Sequence, residues 1–558
     1  MRLIIIILSF LLFQTNIYSN ASATNKFNQK YLSGYFSALI SSGNQNNEDA
    51  LKFFKSSKFL IKKHDNFLKE YVFSLVLDGQ VKKAIDQIKT SKNDINANFF
   101  ESNLLLTIDS FKKKDFKQVS KRMKELNISK DDGTYEFVIF KILENYNYLF
   151  INKKIKKQEN DFGSLNLISS SFQSCYINSN STASYFTNLI NDTNSDYSRY
   201  LFFYFSHLVQ NKEFNKVIDI SKSIEPLADT LLISQSKKWI ENKKFEKFEK
   251  YFSCKNETDI LSEFFFLISN LFSTQEMYEQ SNFYLRISEY LNAKFYFNFS
   301  LLAENYYLND NFKDSKKILN KFKNKDEVYN WYRVKKIGKI LSQEKNENDS
   351  IKFVEKNFKL INDPSVKILY DIANIYKSFK NYEKAINYYS QLLTLVKKDS
   401  YAYSRILYRR GSCFERQGNY DKADKDLLHS LKINPSDAYT MNYLAYSWLE
   451  RNYKVDEAIE MLQRAYKKKK NDPYITDSVG WGYYLIGDYI NAEKYLQKAV
   501  KLMPSDPIVN DHYGDVLWQL GRKLQAKYFW ENVLRLEETE EEMKKNIKIK
   551  LFIGPEKI

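Results

Sequence analysis

Two stretches near the C-terminus, 473–506 and 507–540, carry one pattern twice at a spacing of 34 residues. Gly480 falls on Gly514, Gly487 on Gly521, Ala492 on Ala526 and Leu496 on Trp530, and each stretch opens on the same step, Asp472-Pro473 and Asp506-Pro507. A recurring unit of that length constrains the fold more than composition can, because each copy is one supersecondary block that buries its apolar side against the next. The small positions have a steric reason. Two antiparallel helices cross closely only where Gly or Ala replaces a bulky side chain, so Gly480, Ala492, Gly514 and Ala526 are read as crossing points, with Tyr483, Tyr489 and Leu496 filling the space around them. Pro504 ends the second helix of its unit, because proline cannot continue the hydrogen-bond ladder.

The phase extends upstream with weaker lettering. Residues 404–437 carry Gly411, Phe414, Gly418, Tyr420, Ala423 and Pro435. Residues 438–472 keep Leu444, Ala445, Trp448, Ala458, Leu462 and Ala465, with one extra residue in the turn around Tyr453. Residues 366–399 keep Ala373, Tyr376, Ala385 and Tyr389, the unit at 330–363 is degenerate, and 296–329 again shows Ala303, Tyr306, Phe312 and Leu319. No segment alternates with period two over a useful length, which predicts no sheet. The predicted fold class is therefore all-α, an α-solenoid (superhelix) of antiparallel helix pairs in which each unit packs only on its neighbours. Only 14 Gly and 7 Pro in 558 residues agree with that, since a globular multidomain enzyme of this size uses more turn residues.

The expected organisation is a leader at 1–23, degenerate helical repeats at 24–133, an irregular segment at 134–197, degenerate repeats at 198–365, well-marked repeats at 366–540, and a capping helix with a tail at 541–558. The irregular segment is rich in Ser and Asn over 161–196 and is the expected hinge. The cap is expected because Met543, Ile547 and Leu551 fall at i, i+4 and i+8.

Arg2, the apolar run from Leu3 to Phe13 and the small-x-small site Ala21-Ser22-Ala23 read as a secretory signal, with Thr24 opening the mature chain. As an anchor the run is short: eleven helical residues reach about 16 Å against about 30 Å of hydrocarbon. The expected location is the periplasm or cell envelope, with peripheral association with an outer membrane. Cys175, Cys254 and Cys413 are too few and too far apart for a disulfide framework. Cys175 and Cys254 can pair if adjacent helices bring them together, but three buried free thiols is the preferred reading. The four histidines, His64, His207, His429 and His512, stand alone without a second ligand at metal spacing, so no metal and no cofactor is expected.

No nucleophile elbow, phosphate loop, zinc-protease helix or paired-Cys motif is present, and the chain is read as non-enzymatic. Asp477, Asp511 and Asp515 recur on successive first helices, where carboxylates more often meet solvent or peptide than act as general acids. The formal net charge of +17 is spread along the chain, with Lys467–Lys470 as its one compact run. Export argues against a nucleic-acid partner. It leaves anionic polysaccharide or a membrane surface as the alternative partner for the basic faces.

The 34-residue lettering resembles the tetratricopeptide repeat family. In that fold the first helix of each unit lines an inner surface, so the resemblance implies a peptide-binding face at repeat positions that place Tyr408, Tyr446, Asp477, Trp481, Asp511, Asp515 and Trp518 along one groove. Tyr446, Trp481 and Trp518 are its expected aromatic anchors. The structural positions implied by the same alignment are Gly411, Ala423, Ala458, Gly480, Ala492, Gly514 and Ala526. Tyr370 and Tyr408 occupy the position where chaperone-binding relatives carry a clamp lysine, so that clamp is not matched. The run from 472 to 534 is similar to the C-terminal end of long bacterial envelope proteins, including outer-membrane lipoproteins that act as adaptors for carboxyl-terminal processing proteases. That resemblance implies a scaffold that binds protein partners such as a processing protease or its clients. It departs from those relatives in having no cysteine near the cleavage point to carry a lipid.

Overall fold

The computed structural model describes residues 29–91, 95–126, 134–157, 159–191, 198–227 and 230–555. The leader read at 1–23 lies outside them. Among the described residues every regular element is helical and no strand occurs, so the chain is an all-α solenoid of antiparallel helix pairs.

The boundaries of the C-terminal pairs follow from local chemistry. Asp472 caps the helix Pro473–Leu485 by accepting from the Ile475 N–H at 3.1 Å, and Asp506 caps Pro507–Gln519 by accepting from Ile508 and Val509 at 2.9 and 3.0 Å. The repeated Asp-Pro step is thus an N-cap followed by a proline at the first helical position, where no N–H is needed. Within each pair the chain reverses at Gly487 (φ +81°) and Gly521 (φ +78°), a left-handed conformation that glycine adopts without a Cβ penalty. Asp488 then caps the second helix, Tyr489–Leu502, on the Asn491 N–H at 3.1 Å.

At the crossings the small residues are sterically required. A Cβ on Gly480 would stand 2.5 Å from Leu496 Cγ, one on Gly411 would stand 3.0 Å from Leu427 Cγ, and one on Gly514 would run into the Trp530 indole. Ala423, Ala458, Ala492 and Ala526 have no exposed area. The unit at 330–363, degenerate by lettering, is still a pair, Glu327–Glu344 with Glu347–Phe358, and a Cβ on Gly338 would stand 2.7 Å from Val354 Cγ2.

The chain divides into two compact units. One comprises the described residues up to Val217 with Trp239–Phe322, and the other Ile218–Lys238 with the described residues from Lys323 onward. The expected hinge at 134–197 therefore needs correction: it lies inside the first unit and holds three regular helices, Tyr135–Asn152, Ser164–Tyr176 and Thr182–Ile190. Its described Ser residues include buried helix-face positions, as with Ser169, Ser171 and Ser174.

Two further expectations fail in the first unit. Its repeats do not pack only on sequence neighbours: Phe283 stacks on Phe73 with ring centroids 4.7 Å apart, and Arg286 Nε donates to the Leu77 carbonyl at 3.0 Å across 209 residues. The helix Tyr278–Leu291 thereby seats on Phe67–Leu77. Cys175 and Cys254 form a disulfide spanning 79 residues, so only Cys413 is a free, buried thiol. No helix among the described residues is long and apolar enough to cross a membrane.

Candidate partner-binding face

The residues read as a peptide-binding face lie on four first helices of the second unit: Tyr401–Arg416, Ala438–Glu450, Pro473–Leu485 and Pro507–Gln519. Tyr408 is half-buried and meets Tyr443 edge-to-face with centroids 5.9 Å apart. Tyr446 is half-buried one repeat later. Burial, then the carboxylates of Glu450 and Asp477, hold its phenol well above the usual range. One turn before it, the amide oxygen of Asn442 is buried and has no hydrogen-bond partner. Trp481 is half-buried with its indole stacked between Tyr484 at 4.6 Å and His512 at 3.9 Å, and its Nε1 donates to Glu450 Oε1 at 2.8 Å.

The three aspartates differ from the expectation of a free groove. Asp477 is buried and accepts from His512 Nδ1 at 3.0 Å, so its first partner is the next repeat. His512, expected to stand alone, is enclosed. Burial opposes its charged form, yet the Asp477 carboxylate and its hydrogen bond, with Asp511 and Asp515 beyond, outweigh burial and raise the imidazole above its ordinary value. Asp511 and Asp515 are taken by Lys550 of the C-terminal helix, at 2.7 and 2.8 Å. Asp515 also accepts from Trp530 Nε1 at 3.2 Å. Burial and the neighbouring Asp511 push its carboxyl up to about 6 against the opposing pull of Lys550.

Trp518 is also partly occupied by its own chain. Its ring lies 5.4 Å from that of Trp530, the Lys523 ammonium sits 4.9 Å over it, and the chain end closes on it at Gly554, where a Cβ would collide with the indole. Gly554 has φ +84°, a second reason for glycine there. The helix Glu541–Ile553 buries Ile547 against this last pair, with Met543 and Leu551 beside it. Tyr408, Tyr446 and Trp481 thus keep part of their surface exposed, Trp481 with its ring stacked within its own chain, while Asp477, Asp511 and Asp515 are engaged by their own chain and Trp518 is closed over at Gly554. His512 and Lys550 were missed as partners. The only sequence signal was phase: His512 lies 35 residues after Asp477, nearly one period on.

This arrangement holds hydrogen-bonding and stacking groups but no nucleophile aligned with a base. Among the described residues no cluster of three or more His, Cys, Asp or Glu could hold a metal ion.

Residues 365–436 match the family described as tetratricopeptide repeat. Over those residues the chain carries tetratricopeptide repeats. Proteins built from tetratricopeptide repeats generally mediate protein–protein interactions and are generally not catalysts. A TPR repeat-containing protein of Pseudomonas aeruginosa is 33% identical over 90 residues, covering 16% of this chain and 15% of that protein. One of Methanocaldococcus jannaschii is 35% identical over 80 residues, 14% of this chain and 13% of that one. The matches thus span a small fraction of either relative. A solved tetratricopeptide repeat protein from Parabacteroides merdae aligns at 16% identity over 46% of this chain and 98% of its own, with a TM-score of 0.38. One from Thermus thermophilus aligns at 16% identity over 34% of this chain and all of its own, with a TM-score of 0.31.

Proposed function

We propose that this tetratricopeptide protein is an exported, non-catalytic scaffold that holds an extended segment of a protein partner against the first helices of its C-terminal repeats, in the periplasm or cell envelope. The observation that carries the reading is the pair of part-exposed rings, Tyr446 and Trp481, on adjacent first helices, with the part-exposed Tyr408 on the first helix before them. Rigid, part-exposed rings offer the side chains of an extended peptide a large contact area at little entropy cost. Export is supported by the Cys175–Cys254 bond, which suits an oxidising compartment, together with the signal-like lettering of 1–23. The resemblance to envelope adaptors extends the proposal to clients of a carboxyl-terminal processing protease as the partners.

The test is site-specific photocrosslinking from position 446 in cells, with fractionation and N-terminal sequencing of the mature chain. A defined crosslinked protein that disappears on Trp481→Ala, with helicity intact, is the expected result. Crosslinking indifferent to Trp481→Ala overturns the binding face. A chain recovered from the cytosol with Met1 retained overturns export.

A further inference from the structure

One edge of the C-terminal repeats is made where each second helix ends and the next first helix begins. Val455–Lys468 runs into Pro473–Leu485, and Tyr489–Leu502 into Pro507–Gln519. Two hydrogen bonds join successive turns along this edge: Tyr439 Oη donates to Asp472 Oδ2 at 3.1 Å, and Lys498 Nζ donates to the Lys470 carbonyl at 2.6 Å. Lys432, the run Lys467–Lys470 and Lys501 all lie there exposed. Four aspartates of the edge are bonded locally. Asp437 accepts from the Tyr439 N–H and the Thr440 hydroxyl, Asp472 and Asp506 cap their helices, and Asp399 pairs with His429 at 3.0 Å. Six exposed lysines outnumber these four aspartates and Glu538, which acts on Tyr474, so the strip carries a modest net positive charge.

The same strip carries apolar side chains left about half exposed. Tyr439, Tyr474 and Ile508 sit at the second position of three successive first-helix repeats and are 49%, 56% and 54% exposed, and Leu502, the last residue of the preceding second helix, is 41% exposed. An acidic polymer in water is met by lysines alone and gives these groups nothing. A bilayer boundary uses both. Tyr places its ring in the apolar zone and its hydroxyl among headgroups, Ile and Leu enter the acyl region, and a lysine stem lies along hydrocarbon while its ammonium reaches a phosphate. Stable peripheral attachment takes two such signals together, and one edge supplies both.

We infer that the edge formed by Lys432, Lys467–Lys470, Lys501, Tyr439, Tyr474 and Ile508 docks on the surface of an anionic phospholipid bilayer. Tyr439, Tyr474 and Ile508 stand one turn before Asn442, Asp477 and Asp511 on the same first helices, so the edge adjoins the partner-binding face, but the inference does not rest on that face binding a peptide.

The experiment is co-sedimentation of the full chain with vesicles of phosphatidylcholine alone and of phosphatidylcholine with about one third phosphatidylglycerol, an anionic fraction large enough for surface attraction to dominate. The chain is expected to pellet only with the anionic vesicles. Combined Lys467→Glu, Lys469→Glu and Lys501→Glu is expected to weaken that binding by about 100-fold or more. Tyr474→Ser with Ile508→Ser is expected to weaken it about tenfold while leaving its salt dependence unchanged. Lys425→Glu with Lys494→Glu, exposed on second helices away from the edge, should leave binding as it was. Circular dichroism reports folding of each variant, and Gln in place of Glu gives the same reading should charge reversal unfold the chain. No pelleting with anionic vesicles, equal loss in the control variant, or binding to polyglutamate without binding to vesicles each overturns the inference.

Discussion

Lys550 Nζ lies 2.8 Å from Asp515 Oδ2, tying the helix Glu541–Ile553 to the first helix of the last repeat. Asp511 holds the same ammonium at 2.7 Å. The end of the chain is therefore fastened by charge as well as by Ile547.

Removing that ammonium should be expensive at neutral pH. Asp515 is only 4% exposed at its side chain, and breaking a buried pair from one side leaves the other charge unpaired. Lys550→Ala is expected to lower the free energy of unfolding of the second unit by about 3 kcal/mol in urea titrations at pH 7. A loss below about 0.5 kcal/mol, the level of an exposed ion pair, would show that the C-terminal helix does not cover Asp515 in solution.

The same site sets a pH dependence. Asp515 is raised to about 6 in the folded state, chiefly by burial, so the fold binds its proton more tightly than the unfolded chain does. Its contribution to stability is full below the unfolded value near 4 and is lost as pH rises through about 6. His512, also raised, acts in the same sense at higher pH: its contribution is present below about 6.5 and is lost above its folded value. Asp109 acts oppositely. Burial alone would raise it, but Lys89 and Lys113 overcome that and hold it at about 2, so its contribution disappears only as pH falls below about 4. Thermal unfolding between pH 4 and 7 should accordingly show the second unit gaining stability on acidification, and Asp515→Asn should flatten the part between 4 and 6. An identical slope in that variant would remove Asp515 as its source.

Gly514→Ala tests the close crossing. The added methyl meets the wholly buried Trp530 indole, so a loss of about 1–3 kcal/mol is expected from overpacking. Gly418→Ala, in open space but at φ +72°, should cost about 1 kcal/mol for backbone reasons alone. Denaturant midpoints distinguish the two, and equal costs would deny the steric contact.

Thiol titration of the denatured, unreduced chain should find one reactive group, Cys413. Cys175→Ser with Cys254→Ser should lower stability of the first unit by about 2–4 kcal/mol. Three reactive thiols in the wild-type chain would rule out the bond.

The helix pairs were legible because their constraints are local and repeat. The Asp-Pro caps, the left-handed glycines at 487 and 521 and the crossing residues Gly480 and Gly514 each state a steric or hydrogen-bonding requirement within one unit, and the period multiplies the evidence. At 134–197 composition misled, since Ser and Asn serve buried helix faces as well as turns. The first unit's return contact was invisible for another reason: nothing near Phe73 or Leu77 specifies Phe283 as a neighbour, or Arg286, 209 residues after Leu77. Phase placed Tyr446, Trp481 and Asp477 on one face but could not say which would still be free.

The sequence by itself determined an all-helical chain of paired repeats, with their turns, caps and points of closest approach, because those depend on backbone chemistry within about one unit. Only the tertiary structure decided the Cys175–Cys254 pairing, the seat of Tyr278–Leu291 on Phe67–Leu77, and the engagement of Asp477, Asp511 and Asp515 by His512 and Lys550. Those depend on how small rotations between successive pairs accumulate, a quantity that no single repeat encodes.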